Sequence, residues 1–360
     1  MSSPLITTVI PTFQRPHLLC RAVESVQAQT FDNLKICIFD NASDDATEDV
    51  VADMQKLDKR IYYTKRDVNI GPGPNMVRAV TTVDTPFFSL LNDDDFLLPD
   101  MYNESIAAFD AHDEIGFVCS KTLSVDVTKG SMQFRNREWS GGVYSPSSEV
   151  ASKMFASHFV QTGVVMRTDM TNIIGPFDLL GNDALFMTIA AAAKPFAVID
   201  AYRSVFSFHP SSYSVAHGLS SEPEARLHEA MVSSVGFLVR SNLPDERKFH
   251  LMMLITHFYR EILNIKSVKS LPNVRERQGS AFQSALPSSV TLSSLALALY
   301  QSCPAALRSI ARVGIGAMRS QRSRQSRRDS SWSSLPQSAH EYLRSGGCDS
   351  KKFMALASIN

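Results

Sequence analysis

The sequence predicts an α/β fold: a mostly parallel sheet covered by helices on both faces, followed by a mostly helical C-terminal region. Three observations lead there. Short apolar or β-branched runs alternate with amphipathic helical stretches over the first ~110 residues. Successive strand runs are separated by enough chain for a helical crossover, which argues for parallel pairing. The chemically distinctive polar residues gather at the C-terminal ends of these runs, where open parallel sheets bind ligands.

The elements follow in order. Leu5 to Ile10 is a β-branched run closed by Pro11. Leu18, Leu19, Ala22, Val23 and Val26 then share one helical face. Lys35 to Asp40 (KICIFD) is a second buried strand, after which Ser43 or Asp44 stands as the cap of a helix running through Val50, Val51 and Met54. Ile61 to Thr64 is a third strand. The turn NIGPGP leads into a helix carrying Met76, Val77, Ala79 and Val80. Phe87 to Leu91 is a fourth strand and ends at Asn92-Asp93-Asp94-Asp95. From Ile115 to His209 the pattern is mixed, with strand runs at Ile115 to Ser120, Val164 to Arg167 and Ala197 to Asp200, and a helix from Asp183 through Ala193. Beyond Glu222 helical patterns dominate, as at Leu251 to Leu263 and Leu292 to Tyr300. An Arg/Ser-rich stretch at about 319–334 lacks apolar periodicity and reads as a loop. The expected division is a sheet-bearing unit over residues 1–215 and a helical region over 216–360.

Composition narrows the function classes. The 36 Lys and Arg balance the 36 Asp and Glu, so no net field draws the chain to nucleic acid. The basic charge is uneven, however: Arg308, Arg312, Arg319, Arg322, Arg324, Arg327 and Arg328 crowd one stretch. That stretch has two readings, docking on anionic lipid or a solvated segment. Cys20, Cys37, Cys119, Cys303 and Cys348 show no CxxC spacing, which argues against a zinc knuckle or a disulfide framework and for a reducing compartment. The first residues read as a strand rather than a signal peptide. No apolar run reaches the roughly 18 residues that span a bilayer. The expectation is a cytoplasmic protein, soluble or peripheral at the inner face of the membrane.

Three adjacent carboxylates repel one another unless a cation neutralises them. Oxygen ligands at Asp93, Asp94 and Asp95 suit a hard divalent ion such as magnesium or manganese, with a substrate phosphate completing its shell. The alternative is a solvated acidic turn or a helix cap ahead of Pro99. The apolar residues on both sides, FFSLL and FLLP, favour a buried site over a solvated turn. Thr12 and Arg15 after the first strand, Asp40 and Asn41 at the end of the second, and Asn69 and Gly71 after the third all lie at the same sheet edge as this cluster.

These residues carry a resemblance. VIPTFQRP, AVESVQAQTF, IFDNASDDAT, NIGPGPNMVRAV, LLNDDDFLLPD and GPFD…GND follow in order over roughly the first 215 residues. Together they make the chain similar to the family 2 inverting glycosyltransferases, whose fold is the Rossmann-like GT-A fold. The resemblance implies transfer of a sugar from a nucleotide diphosphate sugar to a hydroxyl of a glycan or glycolipid, assisted by manganese or magnesium, in cell-surface polysaccharide synthesis. It implies that Pro11, Thr12 and Arg15 line the nucleotide pocket, that Asp40 bonds the base, and that Asn69 and Gly71 wrap the nucleotide. Asp94 matches the metal-binding aspartate, with Asp93 toward the ribose or metal and Asp95 behind. Asp183 matches the base that takes the acceptor proton, or else caps its helix. His209, in FSFHPSSYS, lies where relatives often carry a histidine near the metal or diphosphate; the other reading is a structural histidine. Trp139 either lines an acceptor cleft or anchors packing. Asn92 and Asn182 depart from the acidic residues that many relatives carry at those places.

Two rivals remain. A sugar nucleotidyltransferase needs a Gly-rich, basic loop after the first strand, and TFQRP is not one. A catalytically inactive nucleotide-sugar-binding module has no need of both Asp94 and Asp183.

Overall fold

The computed structural model describes residues 3–174, 183–210 and 332–357 apart from 348, with single positions between 212 and 252. The chain begins with β1 (Ile6–Thr12), α1 (Pro16–Gln27), β2 (Leu34–Asp40), α2 (Thr47–Leu57), β3 (Ile61–Lys65), α3 (Pro72–Thr81) and β4 (Phe87–Leu90). These strands pair in parallel in the order β3-β2-β1-β4. The alternation seen in the sequence therefore becomes a parallel half-sheet. Because β2 and β4 flank β1 on opposite sides, the crevice beyond β1 is a topological switch point.

Side chains alternate across the sheet as a period of two demands. Ile6, Ile10, Ile36 and Ile38 face one layer with Leu19, Val23 and Val26 of α1 and Val51 of α2. Val9, Phe39, Phe88 and Leu90 face the other with Ala79 and Val80 of α3. Burying each such side chain stabilises the fold by about 1.5–3 kcal/mol before entropy is counted.

A second half adds β5 (Phe96–Leu97), α4 (Met101–Ala111), β6 (Phe117–Asp126), β7 (Ser131–Phe134), β8 (Gly142–Tyr144), α5 (Ser148–Ala156), β9 (Val164–Arg167), α6 (Met170–Ile174), α7 (Asp183–Ala193) and β10 (Phe196–Phe208). Here the pairing is mixed. β9 runs antiparallel to both β4 and β6, whereas β10 runs parallel to β6. A last strand, β11 (Ser333–Ser334), pairs with β7, and α8 (Gln337–Arg344) and α9 (Ser350–Leu356) follow it. The result is one mixed α/β sheet of eleven strands, mostly parallel in its N-terminal half.

Three local readings change. β1 continues through Pro11 to Thr12, so proline does not close it. The helix expected after Ser43 starts at Thr47, because Asp40 takes both the Ser43 amide and hydroxyl while Asp45 accepts from Thr47. Part of the Arg/Ser-rich stretch is strand β11. The helices expected at 253–263 and 292–300, residues 175–182 of the GPFD…GND motif, and the arginines at 308–328 lie outside the described residues. Among the described residues no helix is long and apolar enough to cross a membrane.

Candidate active site

The chain leaves β1 through a tight turn. Gln14 takes a left-handed conformation (φ 54°) and its amide donates to the Ser43 hydroxyl. Pro16 then opens α1, where its missing N–H costs nothing. This turn aims Arg15 back across the end of the sheet. Its Nη1 lies 3.2 Å from Asp93 Oδ1 and 3.1 Å from Asp94 Oδ2.

The acidic loop after β4 is held from every side. Asp93 Oδ2 accepts from the Thr12 hydroxyl at 2.8 Å and from the Phe13 amide at 3.4 Å. Asp94 Oδ2 meets His209 Nε2 at 3.2 Å, and the Asp94 carbonyl accepts from Arg21. Asp95 is fully buried; it accepts from the Thr162 hydroxyl, the Ser207 amide at 2.8 Å and the Asn92 side chain at 3.1 Å. Burial, then the neighbouring Asp94 carboxylate, push Asp93 up to about 6 and Asp95 up to about 8. The two outer aspartates are thus engaged by fixed donors, and Asp94 is the one shared between a cation and an imidazole.

Asp94 and His209 make a pair of hard and borderline donors, with side chains 13% and 12% exposed. Among the described residues no third His, Cys, Asp or Glu completes a cluster with them. The pair therefore fits an ion that takes the rest of its shell from substrate phosphate and water. Arg15 supplies a second positive charge at the same carboxylates.

The second and third strands place the other predicted residues differently. Asp40 is fully buried. Its Oδ1 accepts from Ser43, and its Oδ2 accepts from the Tyr63 hydroxyl at 2.6 Å. Burial, then this bond to a carboxylate, hold the Tyr63 phenol far above its ordinary value, so it stays a donor. A ligand reaches Asp40 only if Tyr63 or Ser43 swings away. Asn69 Oδ1 accepts from Asn41 and from the Gly71 amide, both at 2.8 Å, closing the loop over the end of β2. Gly71 sits at φ 86°, ψ 160°, a conformation open essentially to glycine alone.

Asp183 opens α7, and burial pushes its carboxyl up to about 6 while Arg135 opposes the shift. Arg135 also faces His158, whose imidazole burial drives down to about 3. Trp139 is fully buried, donates to the Ser157 carbonyl at 2.8 Å and carries the Lys153 ammonium 4.2 Å above its ring. It is a packing anchor, not a cleft residue.

Reasoning from sequence missed Arg21, Thr162 and Ser207. Arg21 left a signal: it lies one residue before Ala22 and four before Ser25 on the face that α1 buries. A cation inside an apolar stripe needs a partner. Thr162 and Ser207 left none, since they meet Asp95 across 67 and 112 residues of chain.

The fold is a mixed α/β sheet of the GT-A kind. Residues 7–171 match the family model for glycosyl transferase family 2. It is 38% identical over 96 residues to a GalNAc(5)-diNAcBac-PP-undecaprenol beta-1,3-glucosyltransferase of Campylobacter jejuni, covering 26% of this chain and 31% of that protein. It is 34% identical over 100 residues to the abequosyltransferase RfbV of Salmonella typhimurium, covering 27% and 30%. The chain thus spans about a third of the length of these curated relatives. The structure of S. aureus TarS 1–349 in complex with UDP-GlcNAc superposes with a TM-score of 0.60 at 14% identity, covering 96% of this chain and 88% of that one, which shows the shared fold.

Proposed function

We propose that this chain is an inverting, metal-dependent glycosyltransferase that moves a sugar from a nucleotide diphosphate sugar to a hydroxyl of a glycan or glycolipid. One observation carries the reading. Asp94, His209, Arg15 and Asp93 converge beyond β1 and β4, at the switch point of a family 2 sheet. The UDP-GlcNAc bound by TarS supports a nucleotide-sugar donor, and the lipid-linked acceptor named for the Campylobacter relative supports a glycan or glycolipid acceptor.

In this reading Pro11, Thr12 and Arg15 line the nucleotide pocket, and Arg15 meets diphosphate charge once it leaves the carboxylates. Asn69 and Gly71 hold the loop that closes over the nucleotide. Asp40 reads the base after releasing Tyr63. Asp94 and His209 hold manganese or magnesium, which when bound neutralises the charge that builds on the departing diphosphate. Asp93 and Asp95 fix the loop. Asp183, desolvated at the start of α7, takes the proton of the attacking hydroxyl. We assign this machinery to a catalytic unit over residues 1–215. A lipid-linked acceptor brings the chain to a membrane surface, and the arginines at 308–328 carry the charge for that contact.

The test is release of nucleoside diphosphate from a panel of nucleotide-sugars with manganese, with the anomeric configuration of the product read by NMR. The wild type should turn over at least one donor with inversion, and Asp94→Ala should fall to background. Tight nucleotide binding with no turnover on any acceptor extract would identify an inactive binding module instead.

A further inference from the structure

The described chain after residue 331 returns to the sheet and touches it beside both members of the Asp94–His209 pair. Phe353 of α9 meets Phe96 edge-on, ring centroids 5.4 Å apart. Phe96 is two residues past Asp94. Trp332, just ahead of β11, meets Phe208 at 5.9 Å. Phe208 is the residue before His209.

Each contact continues inward. Arg21 stacks on the Phe96 ring, 4.9 Å from its centroid, and from there donates to the Asp94 carbonyl and to the Ser207 hydroxyl. The Ser207 amide in turn donates to Asp95 Oδ1. On the other side, the Phe208 carbonyl accepts from the Val127 amide, and the Val127 carbonyl pairs with His340 Nε2 of α8 at 2.7 Å. The Leu335 amide donates to the Gly130 carbonyl at 2.7 Å. Leu335, Ala339, Leu343 and Phe353 close a small core with Leu98, Leu123, Val125 and Val205.

Asp94 and His209 lie 115 residues apart in sequence. Both sit just past a strand end, Asp94 four residues after β4 and His209 one residue after β10, where no ladder fixes them. Two donors that share one small ion must keep their spacing to about half an ångström. We propose that residues 332–357 form a clamp that sets this spacing, with Phe353 and Trp332 as positioning residues. This deepens the transferase reading and rests on it. Truncating Phe353 leaves a void beside Phe96, and the ring, the Arg21 guanidinium and the Asp94 carbonyl relax together. Truncating Trp332 releases Phe208 and the residue after it.

Hydrogen exchange on the full chain tests the clamp without relying on turnover. The probes are the amides of Asp95, bonded to the Asn92 carbonyl, and Ser207, bonded to Asp95; the amides of β2 are the control. In Phe353→Ala, exchange at Asp95 and Ser207 should accelerate at least about tenfold while β2 is unchanged, and Phe353→Leu should recover most of the protection. Trp332→Ala, at a side chain 40% exposed, should accelerate exchange at Ser207 alone. Where the wild type turns over donor, kcat of Phe353→Ala should fall by about tenfold to a hundredfold with KM for the donor held. Uniform acceleration across the sheet, or none at Asp95 and Ser207, overturns the clamp. A wild type that consumes no donor overturns the transferase reading and leaves the exchange contrast to decide the clamp.

Discussion

Asp183 keeps its proton longer than a surface aspartate, because burial lifts its carboxyl from 3.8 to about 6. A base must be ionised to act, so transferase activity should climb as pH rises through about 6 and level above it. A flat profile between pH 5 and 7.5 would remove Asp183 from that role. Asp183→Asn should keep nucleotide binding and lose about 10²–10⁴-fold in kcat. The same shift sets a sign for stability. Between pH 3.8 and about 6 the folded chain holds a proton that the unfolded chain has released, so this group's contribution falls as pH rises through that window. Asp183→Asn escapes that loss, and its melting temperature should gain on the wild type from pH 4 to pH 6.5. Asp40 poses a different question, since both its oxygens already have donors. Tyr63→Phe decides its role. If Asp40 reads a base, freeing Oδ2 should tighten nucleotide binding. An unchanged dissociation constant with about 1 kcal/mol lost from stability makes Asp40 a strut. The sequence marked Asp40 by its place at a strand end and Asp183 by the GPFD…GND motif ahead of a helix. It held nothing to say that Tyr63 would occupy Asp40, because that bond depends on the register of β3 against β2.

At the scale of elements, the short 3-10 turn Gln161–Gly163 matters more than its length suggests. Thr162 on it donates to Asp95, and Gly163 lets it lie flat on β6 and β10. A Cβ on Gly163 would stand 2.6 Å from Ser204 Oγ, 3.0 Å from Ser120 Oγ and 3.1 Å from Thr122 Oγ1. Gly163→Ala should therefore lift the turn, cost about 1–3 kcal/mol in denaturant unfolding and weaken turnover by moving Thr162 off Asp95. Unchanged stability and activity would show that the turn has slack. The N-terminal strands and helices were legible because their signals are local: β-branched runs at period two and apolar stripes at 3.6. The turn was not, since its packing partners lie 43 and 41 residues away on other strands. The C-terminal helices fall between. Leu335, Ala339 and Leu343 recur every fourth residue and all are buried, a helical signal that the Ser- and Arg-rich surroundings obscured.

At the scale of the whole molecule, the sheet divides its labour. Its parallel half gathers Thr12, Arg15, Asp93 and Asp94 at one edge, as strand order alone dictates. Its mixed half brings His209, Ser207 and Thr162 to the same place from far along the chain. That division explains why the first half of the site was readable from residue order, whereas of the second only His209 was marked, through the resemblance, and Thr162 and Ser207 were not. The late return of residues 332–357 adds a consequence in time. The segment between His209 and Trp332, about 120 residues, leaves a ribosome in roughly 6–25 s at ordinary elongation rates. Throughout that interval Phe96, Leu98 and Val205 wait without Leu335, Leu343 and Phe353 to cover them. On the clamp reading, the nascent chain carries these side chains without that cover, a natural handhold for a chaperone, and the Asp94–His209 spacing is set only after translation has passed residue 353.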